Sequence, residues 1–176
     1  MVLYNHRGEI KRKEVNTMTK TTAMMPIKYT YDPNHSHSHY LVENDPKYKN
    51  GGEFAEIVCK AIRGFEPKKD ANTSFEDGSD IEETKTSVKS TGCGLTDNKE
   101  MRTTKEHYLT EYFKRVHSTN VDYVIIVDDE VNIYNMDMQT EFKEFVNTFG
   151  KWDKKDKKIR INTSLKMIKW LEERVA

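Results

Sequence analysis

The sequence contains no long hydrophobic run. The longest is the stretch VIIV at 124–127, which is far too short to cross a bilayer. The opening residues, MVLYNHRGEIKRKE, also lack the continuous apolar segment that a secretory signal peptide needs. We therefore expect a cytoplasmic protein that has no membrane partner.

Cysteine is scarce as well. The two cysteines, Cys59 and Cys93, are too few for a disulfide framework, and neither belongs to a CxxC pair. Two free thiols in a reducing compartment are the expectation.

Net charge is absent, because 29 basic residues balance 29 acidic ones. The molecule as a whole therefore has no electrostatic bias toward nucleic acid. The distribution is uneven, however, with seven acids against two lysines at 66–83 and nine basic residues against four acids from residue 151 onward. An acidic centre with basic flanks suits a protein that binds cations centrally and phosphates around them, although ordinary surface patchiness gives the same asymmetry.

The periodicity of apolar residues predicts a chain that mixes helices and strands. Helices are expected at about 53–63, with Gly64 as the stop, at about 99–117, and in MQTEFKEFVNTFGKW and NTSLKMIKWLEERV, the last capped from within 162–164. VDYVIIVDDEVNIYNM predicts a strand pair and MPIKYTYD a short strand. Residues 1 to about 25 have no periodicity and predict a loosely ordered arm, and NHSHSHYLVENDPKYKNGG predicts a loop.

The length of 176 residues suits a single core. We predict an α/β (α+β) fold, a single domain with a mixed central β-sheet flanked by helices. The expected division is a partly ordered N-terminal arm at 1–45 and the functional domain at 46–176. Three alternating histidines of the arm, His35, His37 and His39, would share one face of a strand and could bind a metal, but no acid or cysteine stands at ligand spacing, which favours an exposed polar loop.

The stretch GSDIEETKTSVKSTG at 78–92 carries the densest chemistry. Period-two alternation places Lys85, Ser87 and Lys89 on one face of a strand and Val88 on the opposite, core face. A lysine beside an aspartate of a neighbouring strand suits phosphodiester cleavage, since the acid binds a hard divalent cation and the ammonium positions a water. One carboxylate does not hold such an ion well, so a second acid is required. A solvated hairpin whose charges protect a strand edge is the competing interpretation.

This order of elements resembles the PD-(D/E)xK nuclease superfamily, in which a helix precedes a hairpin that bears Asp and then (Asp/Glu)-x-Lys. Here SDI matches the first half of the motif, and Ser87 stands where the usual acid is expected. One branch of Type II restriction endonucleases carries Ser-Val-Lys at this place and has the displaced acid on the next helix. The size and the tail KIRINTSLKMIKWLEERV also resemble small Type II restriction enzymes, among them those that cut an interrupted GC-N-GC site. The resemblance covers about residues 50–175 and implies a restriction-endonuclease-like fold.

The resemblance implies a role for several residues. Asp80 and a displaced acid would bind the metal, and Lys89 would orient the attacking water. Glu100 and Glu106 bracket the spacing expected for the displaced acid, and we choose Glu106 because it lies one turn before Leu109 and leans inward.

Two further residues belong to the predicted site. Glu53, on the apolar stripe of the preceding helix, would be an accessory acid, although a favourable charge at a helix N-terminus explains it equally. Ser87 would be a spacer or hydrogen-bonding residue, because no histidine is placed to activate it as a nucleophile.

A second register stays open, in which Glu83-Thr84-Lys85 is the motif and Asp77 or Asp70 the upstream acid. It keeps the usual acid. Thr84 then occupies a position that is usually apolar, and only six residues separate Asp77 from Glu83, which leaves little room for a hairpin. The register of Asp80, Ser87 and Lys89 is therefore preferred.

Together these features imply a Mg²⁺-dependent Type II restriction endonuclease acting on double-stranded DNA, with a cognate DNA methyltransferase in the same system. Because each small subunit carries one metal site, cutting both strands of a palindrome predicts a homodimer. The lysines of 151–158 are candidates for phosphate contacts. The alternatives are another nuclease of the same superfamily, of the phage, repair or junction-resolving kind, and a non-enzymatic DNA-binding or regulatory protein.

Overall fold

The computed structural model describes residues 2–4, 10–12, 18–64, 66–67, 78–79, 85–90, 94–95 and 104–175. Four α-helices lie in these ranges, at the places where apolar spacing predicts them. They are α1 (Gly51–Arg63), α2 (Lys105–Arg115), α3 (Lys143–Phe149) and α4 (Leu165–Arg174), and the π-helical turn Met138–Phe142 leads into α3. None of the helices in these ranges has the length and apolar character needed to span a membrane.

Local sequence sets the helix ends. Asn50 begins α1 by accepting a hydrogen bond from the Glu53 N–H at 2.9 Å, and Gly64 ends it at φ 74°, a left-handed conformation that favours glycine. Ser164 caps α4 by accepting from the Met167 N–H at 3.2 Å. The predicted stop at Gly64 and the predicted cap of the last helix are therefore confirmed.

The second helix is shorter than the predicted span of 99–117. The Thr104 side chain caps it by accepting from the His107 N–H, so the helix proper starts at Lys105. It ends at Arg115, since Val116 has an extended backbone with ψ 129°. Hydrophobic spacing predicts the helix, but its start is set by the cap residue.

Within the described ranges the strands form four sheets, of which the largest is mixed. The strands are β1 (Val2–Tyr4), β2 (Ile10–Arg12), β3 (Thr19–Met24), β4 (Tyr29–Tyr31), β5 (Tyr40–Val42), β6 (Tyr48–Lys49), β7 (Glu66–Pro67), β8 (Gly78–Ser79), β9 (Lys85–Ser90), β10 (Gly94–Leu95), β11 (Asn120–Val127), β12 (Glu130–Asp137), β13 (Lys151–Asp153) and β14 (Lys158–Arg160). The large sheet has the order β3-β12-β11-β9-β8-β7, and among these described strands the β9–β11 pair is parallel and the other neighbours are antiparallel. The prediction of a mixed α and β chain around a mixed sheet is confirmed.

The parallel pair determines where α2 lies in the chain. Antiparallel neighbours can be joined by a tight turn, as β11 and β12 are, whereas parallel neighbours need a crossover. The crossover from β9 to β11 contains α2. The first turn of α2 is thereby connected to the strand that carries Ser87, Val88 and Lys89.

Both faces of the large sheet are buried at its centre. Along β11, Val121, Tyr123 and Ile125 belong to the core cluster that includes residues of α2, α3 and α4. Val124 lies on the other face and belongs to the cluster that includes Val88 and the buried residues of α1. A strand that is buried on both faces has a nearly continuous hydrophobic sequence, which explains why β11 contains the longest apolar run of the chain.

The expectation of a loosely ordered arm up to about residue 25 is wrong for its last part. Strand β3, with the sequence TKTTAM, pairs antiparallel with β12 along its whole length, and the preceding Met18 is fully buried in the core. Threonine favours strands but shows little hydrophobic periodicity, so a polar edge strand of this kind is hard to distinguish from a coil.

The predicted loop at 34–52 is also wrong, because it contains two of the three strands of a small sheet with the order β4-β5-β6. The short strand predicted in MPIKYTYD is confirmed as β4. The ring of Tyr40 stacks on Phe54 of α1 at 4.2 Å between centroids, and Tyr29 lies 4.7 Å from the same ring. The small sheet is held by these aromatic contacts with α1, the helix that follows it in the chain.

Candidate active site

Ser87, Val88 and Lys89 lie on the central strand β9, in register with β11. Ser87 is opposite Val121 and Lys89 is opposite Tyr123, so these residues share the face of the sheet that packs against α2 and α3. Val88 lies on the opposite face, 6% exposed, in the cluster with α1. The predicted alternation, with Val88 in the core, is confirmed.

Burial decreases toward the end of this strand. Thr86 and Ser87 are fully buried and Val88 is nearly so, whereas Lys89 and Ser90 are partly exposed. Lys89 therefore lies where the strand leaves the core, which suits a side chain with an apolar stem and a charged end. Ser87 is completely buried, and its role as a spacer or hydrogen-bonding residue stays a prediction.

Several predicted acids lie outside the described residues. Strand β8 ends at Ser79, which is paired with Lys85, and Asp80 is the next residue in the chain. Asp80 itself is outside the described ranges, as are the other acids of both registers and the alternative second acids, namely Asp70, Asp77, Glu82, Glu83 and Glu100. The choice between the two registers stays a prediction.

Glu106 is in the first turn of α2 and is exposed, so the expectation that it leans inward is wrong. The buried stripe of α2 begins at Tyr108 and Leu109. Helical side chains point toward the N-terminus, and at the first turn no preceding turn covers them. Glu106 lines a groove of about 610 Å³ between α2 and the segment that leads into α3, together with Lys105 and Lys143.

Glu53 is exposed in the first turn of α1 and has a capping role. Its carboxylate accepts a hydrogen bond from the Asn50 N–H at 2.9 Å, and the Asn50 side chain accepts from the Glu53 N–H at 2.9 Å. This is a complete capping box. The interpretation of Glu53 as a favourable charge at a helix N-terminus is confirmed, the expectation that it leans toward the core is wrong, and its accessory role stays a prediction.

The sequence analysis missed a buried acid next to the candidate strand. Asp122 of β11 has no exposed side-chain surface and is in register with Val88. Its carboxylate lies 3.3 Å from Nε of Arg63, the last residue of α1, and accepts a hydrogen bond from Asn135 at 2.9 Å. The signal was an aspartate within the apolar run NVDYVIIV, where a charge needs a partner.

Burial and the nearby carboxylate of Asp122 both raise the pKa of the Cys59 thiol. Cys59 is buried in α1, and burial raises the pKa of this thiol strongly, with the negative charge of Asp122 adding to the effect. A thiol of this kind behaves as an unreactive core residue. Cys59 therefore agrees with the expectation of a free thiol, and Cys93 lies outside the described residues.

The three histidines lie in the loop between β4 and β5, and two of them make local contacts. His35 stacks on Tyr48 at 3.6 Å between centroids, and its Nδ1 is 2.7 Å from the carbonyl oxygen of Ser38. Nδ1 of His39 is 3.1 Å from the carbonyl oxygen of Asp32. Within the described ranges, no group of three or more His, Cys, Asp or Glu side chains could hold a metal ion.

Of the two acids predicted to bind Mg²⁺, Glu106 is the one that lies within the described residues, and its role as a ligand stays a prediction. Carboxylate oxygens are the donors that Mg²⁺ prefers, and an exposed carboxylate can bind an ion that keeps several of its waters. Glu106 fits on both counts. The second predicted ligand, Asp80, follows a strand that is paired with β9.

Comparisons with protein-family models and with curated proteins find no significant match to this chain.

Proposed function

We propose that the protein is a Mg²⁺-dependent Type II restriction endonuclease that hydrolyses phosphodiester bonds of double-stranded DNA at a short specific site. The observation that carries this proposal is the position of Lys89, on a central strand and at the point where the strand leaves the core. A lysine in this position has a fixed stem and a charged end that can reach solvent, as catalysis on a large substrate requires.

The arrangement of elements around β9 supports the same proposal. A helix precedes an antiparallel hairpin, a second helix follows it, and the next apolar strand pairs with the hairpin strand in parallel. This is the order in which the resembling nucleases carry their motif. The Ser87-Val88-Lys89 triplet is on one strand of this hairpin, and in the sequence Asp80 directly follows the strand paired with it.

Each residue of the proposed site has one task. Asp80 and Glu106 would hold the cation. When bound, the cation would polarise the scissile phosphate and lower the pKa of a bound water. Lys89 orients the attacking water and offsets the negative charge that develops on the phosphate. Ser87 packs under the site, and Glu53 is accessory.

Cleavage of plasmid DNA in the presence of Mg²⁺ tests the activity, and lysine variants test the register. We expect Lys89→Ala to reduce cleavage by on the order of 10²–10⁴-fold, the usual contribution of a positioned proton-transfer group, while the circular dichroism spectrum is unchanged. Lys85→Ala is the matched control and should stay within a few-fold of the wild type.

Other outcomes of this experiment select the alternatives. An inactive Lys85 variant beside an active Lys89 variant would favour the register of Glu83, Thr84 and Lys85. Random degradation in place of discrete bands would favour a nuclease of the phage, repair or junction-resolving kind. DNA binding without any cleavage would leave a non-enzymatic DNA-binding or regulatory protein.

The second acid has its own test. Glu106→Gln removes a carboxylate charge but little volume, so we expect loss of Mg²⁺-dependent cleavage with the fold retained. Glu100→Gln is the control and should remain active. An active Glu106 variant would remove this residue from the site and direct attention to Glu82, Glu83 or Glu100.

The proposal includes a homodimer on DNA, because a palindromic site presents the same scissile phosphate on each strand. Sedimentation of the protein alone and with its DNA should give two subunits in the complex. A monomer in both conditions, together with nicking of one strand, would contradict the homodimer. A cognate DNA methyltransferase is expected as the partner enzyme that protects the host DNA.

A further inference from the structure

The basic stretch KWDKKDKKIR at 151–160 forms a β-hairpin, which we call the basic hairpin. Strands β13 and β14 pair from Lys151 opposite Arg160 to Asp153 opposite Lys158, and residues 154–157 make the turn. All four turn residues are exposed. Lys154, Lys155 and Lys157 thus lie at one tip.

The acids of the basic hairpin are occupied by internal contacts. Asp153 accepts from Nε of Arg160 at 2.8 Å and from the backbone N–H groups of Lys155 and Asp156 at 3.0 and 3.1 Å. Asp156 accepts from Nη2 of Arg160 at 2.6 Å. Arg160 therefore compensates both carboxylates, with Nζ of Lys158 also 3.9 Å from Asp156. Within the part of the chain that the structure describes, none of the three tip lysines forms an ion pair with these acids.

The base of the hairpin is fixed to the core. Ile159 is fully buried, and the ring of Trp152 lies 5.6 Å from that of Tyr108 on α2. Nζ of Lys105 donates a hydrogen bond of 2.6 Å to the carbonyl oxygen of Gly150, directly before the hairpin. The tip lysines are therefore presented by a rigid base, and this base contacts the helix turn that carries the proposed ligand Glu106.

A second link joins the hairpin to the candidate strand. Strand β10 pairs with β14, with Gly94 opposite Arg160, and Gly94 is only four residues after Ser90, the last residue of β9. Four residues span at most ~14 Å, paired strands are ~5 Å apart, and three residues of strand rise ~10 Å. Lys157, the nearest tip lysine along this path, thus lies within about 30 Å of the end of β9, which is less than one turn of B-form DNA, about 34–36 Å.

From this geometry we infer that Lys154, Lys155 and Lys157 contact the phosphates of the same DNA duplex that is cleaved beside Lys89, within one helical turn of the scissile phosphate. The inference rests on the proposed function for the identity of the duplex. Three lysines on a fixed turn whose acids are already compensated make a local positive surface on a protein of zero net charge. Contacts of this kind position the duplex and carry no sequence information.

A charge-neutral triple variant tests the inference. Lys154→Gln, Lys155→Gln and Lys157→Gln are combined, and binding to a DNA duplex is measured by fluorescence anisotropy without Mg²⁺ over a range of salt concentrations. If all three lysines contact phosphates, the slope of log K against log salt should fall by about 3, and the affinity at 0.1 M salt by on the order of 100-fold. The melting temperature should be unchanged because the tip is exposed.

The control removes the same charge elsewhere. The control residues are the exposed lysines Lys47, Lys166 and Lys169, of which the last two are on α4. Glu172 of the same helix contacts β3 and β12. In the large sheet these two strands are separated from β9 by β11. Changing the three control lysines to Gln should leave the salt slope within about 1 of the wild-type value.

The two proposals fail in different ways. If the wild type neither binds nor cleaves DNA, the proposed function is wrong and the inference falls with it. If the wild type binds and cleaves DNA but the triple variant has the same slope as the wild type, only the role of the basic hairpin is overturned. A control variant that loses as much affinity as the triple variant would also overturn it, since the effect would then be one of total charge.

Discussion

The pair between Arg63 and Asp122 allows a sharp test of how the candidate strand is supported. It joins the last residue of α1 to β11, the strand parallel to β9, and the carboxylate is completely buried. We consider Arg63→Met, which keeps an unbranched apolar stem and removes the guanidinium. The variant leaves a buried carboxylate that still accepts a hydrogen bond from Asn135.

The expected cost follows from the distance and the burial. Two charges 3.3 Å apart attract each other by about 5 kcal/mol at an effective dielectric constant of about 20. Removing one partner of a buried pair costs about 3–5 kcal/mol. The Arg63 side chain is 22% exposed, so water replaces part of the lost interaction, and we take a loss of about 3 kcal/mol in the free energy of unfolding.

Urea unfolding, followed by tryptophan fluorescence and circular dichroism, measures this loss. For a chain of this size, about 3 kcal/mol also corresponds to a melting temperature lower by roughly 6–12 °C. Adding Asp122→Asn to the Arg63 variant removes the buried charge, so the double variant should recover more than about 1 kcal/mol.

A surface pair provides the control. Nζ of Lys169 lies 3.8 Å from Glu173 one turn later on α4, where both side chains are more than half exposed, and such pairs contribute only about 0.3–0.5 kcal/mol. Lys169→Met should therefore change stability by much less than Arg63→Met. A cost below about 1 kcal/mol for the Arg63 variant, or no recovery in the double variant, would refute the reasoning that this pair supports the sheet.

Two further predictions concern packing and pH. A Cβ added at Gly150 would lie 2.5 Å from a backbone oxygen of the preceding turn and 2.7 Å from Cγ2 of Ile159, so Gly150→Ala should lower the free energy of unfolding in urea by about 1–3 kcal/mol. At Gly51 nothing lies within 4 Å, so the same change should not destabilise the protein. Equal effects at the two glycines would contradict the prediction. The hydrogen bond from Lys20 holds the pKa of Glu172 below its ordinary value. The stabilisation that ionised Glu172 gives to the folded state is therefore present above the unfolded-state pKa of about 4.3, and it is lost as the pH falls through the lower folded-state pKa. The difference in unfolding free energy between the wild type and Glu172→Gln should thus shrink from pH 6 to pH 3, and a constant difference would count against it.

Some features of this protein were determined by the sequence alone, because their physics is local. The stop of α1 at Gly64 needs only a residue that tolerates a positive φ, and the cap at Ser164 needs only a side-chain oxygen beside free N–H groups. The alternation that buries Val88 follows from the two-residue period of a strand. These features could be predicted because each depends on neighbours within a few positions of the chain.

The tertiary structure decided what depends on residues far apart in the sequence. The chain 19–24 is a strand because β12 offers an edge for pairing, and Tyr40 is in a strand beside Phe54 of α1. Periodicity placed Glu106 on an inward face, but the first turn of a helix has no turn before it, and the side chain is exposed. The partner of Asp122 is an arginine from a helix much earlier in the chain, since a buried charge is compensated by whichever opposite charge the packing brings near it.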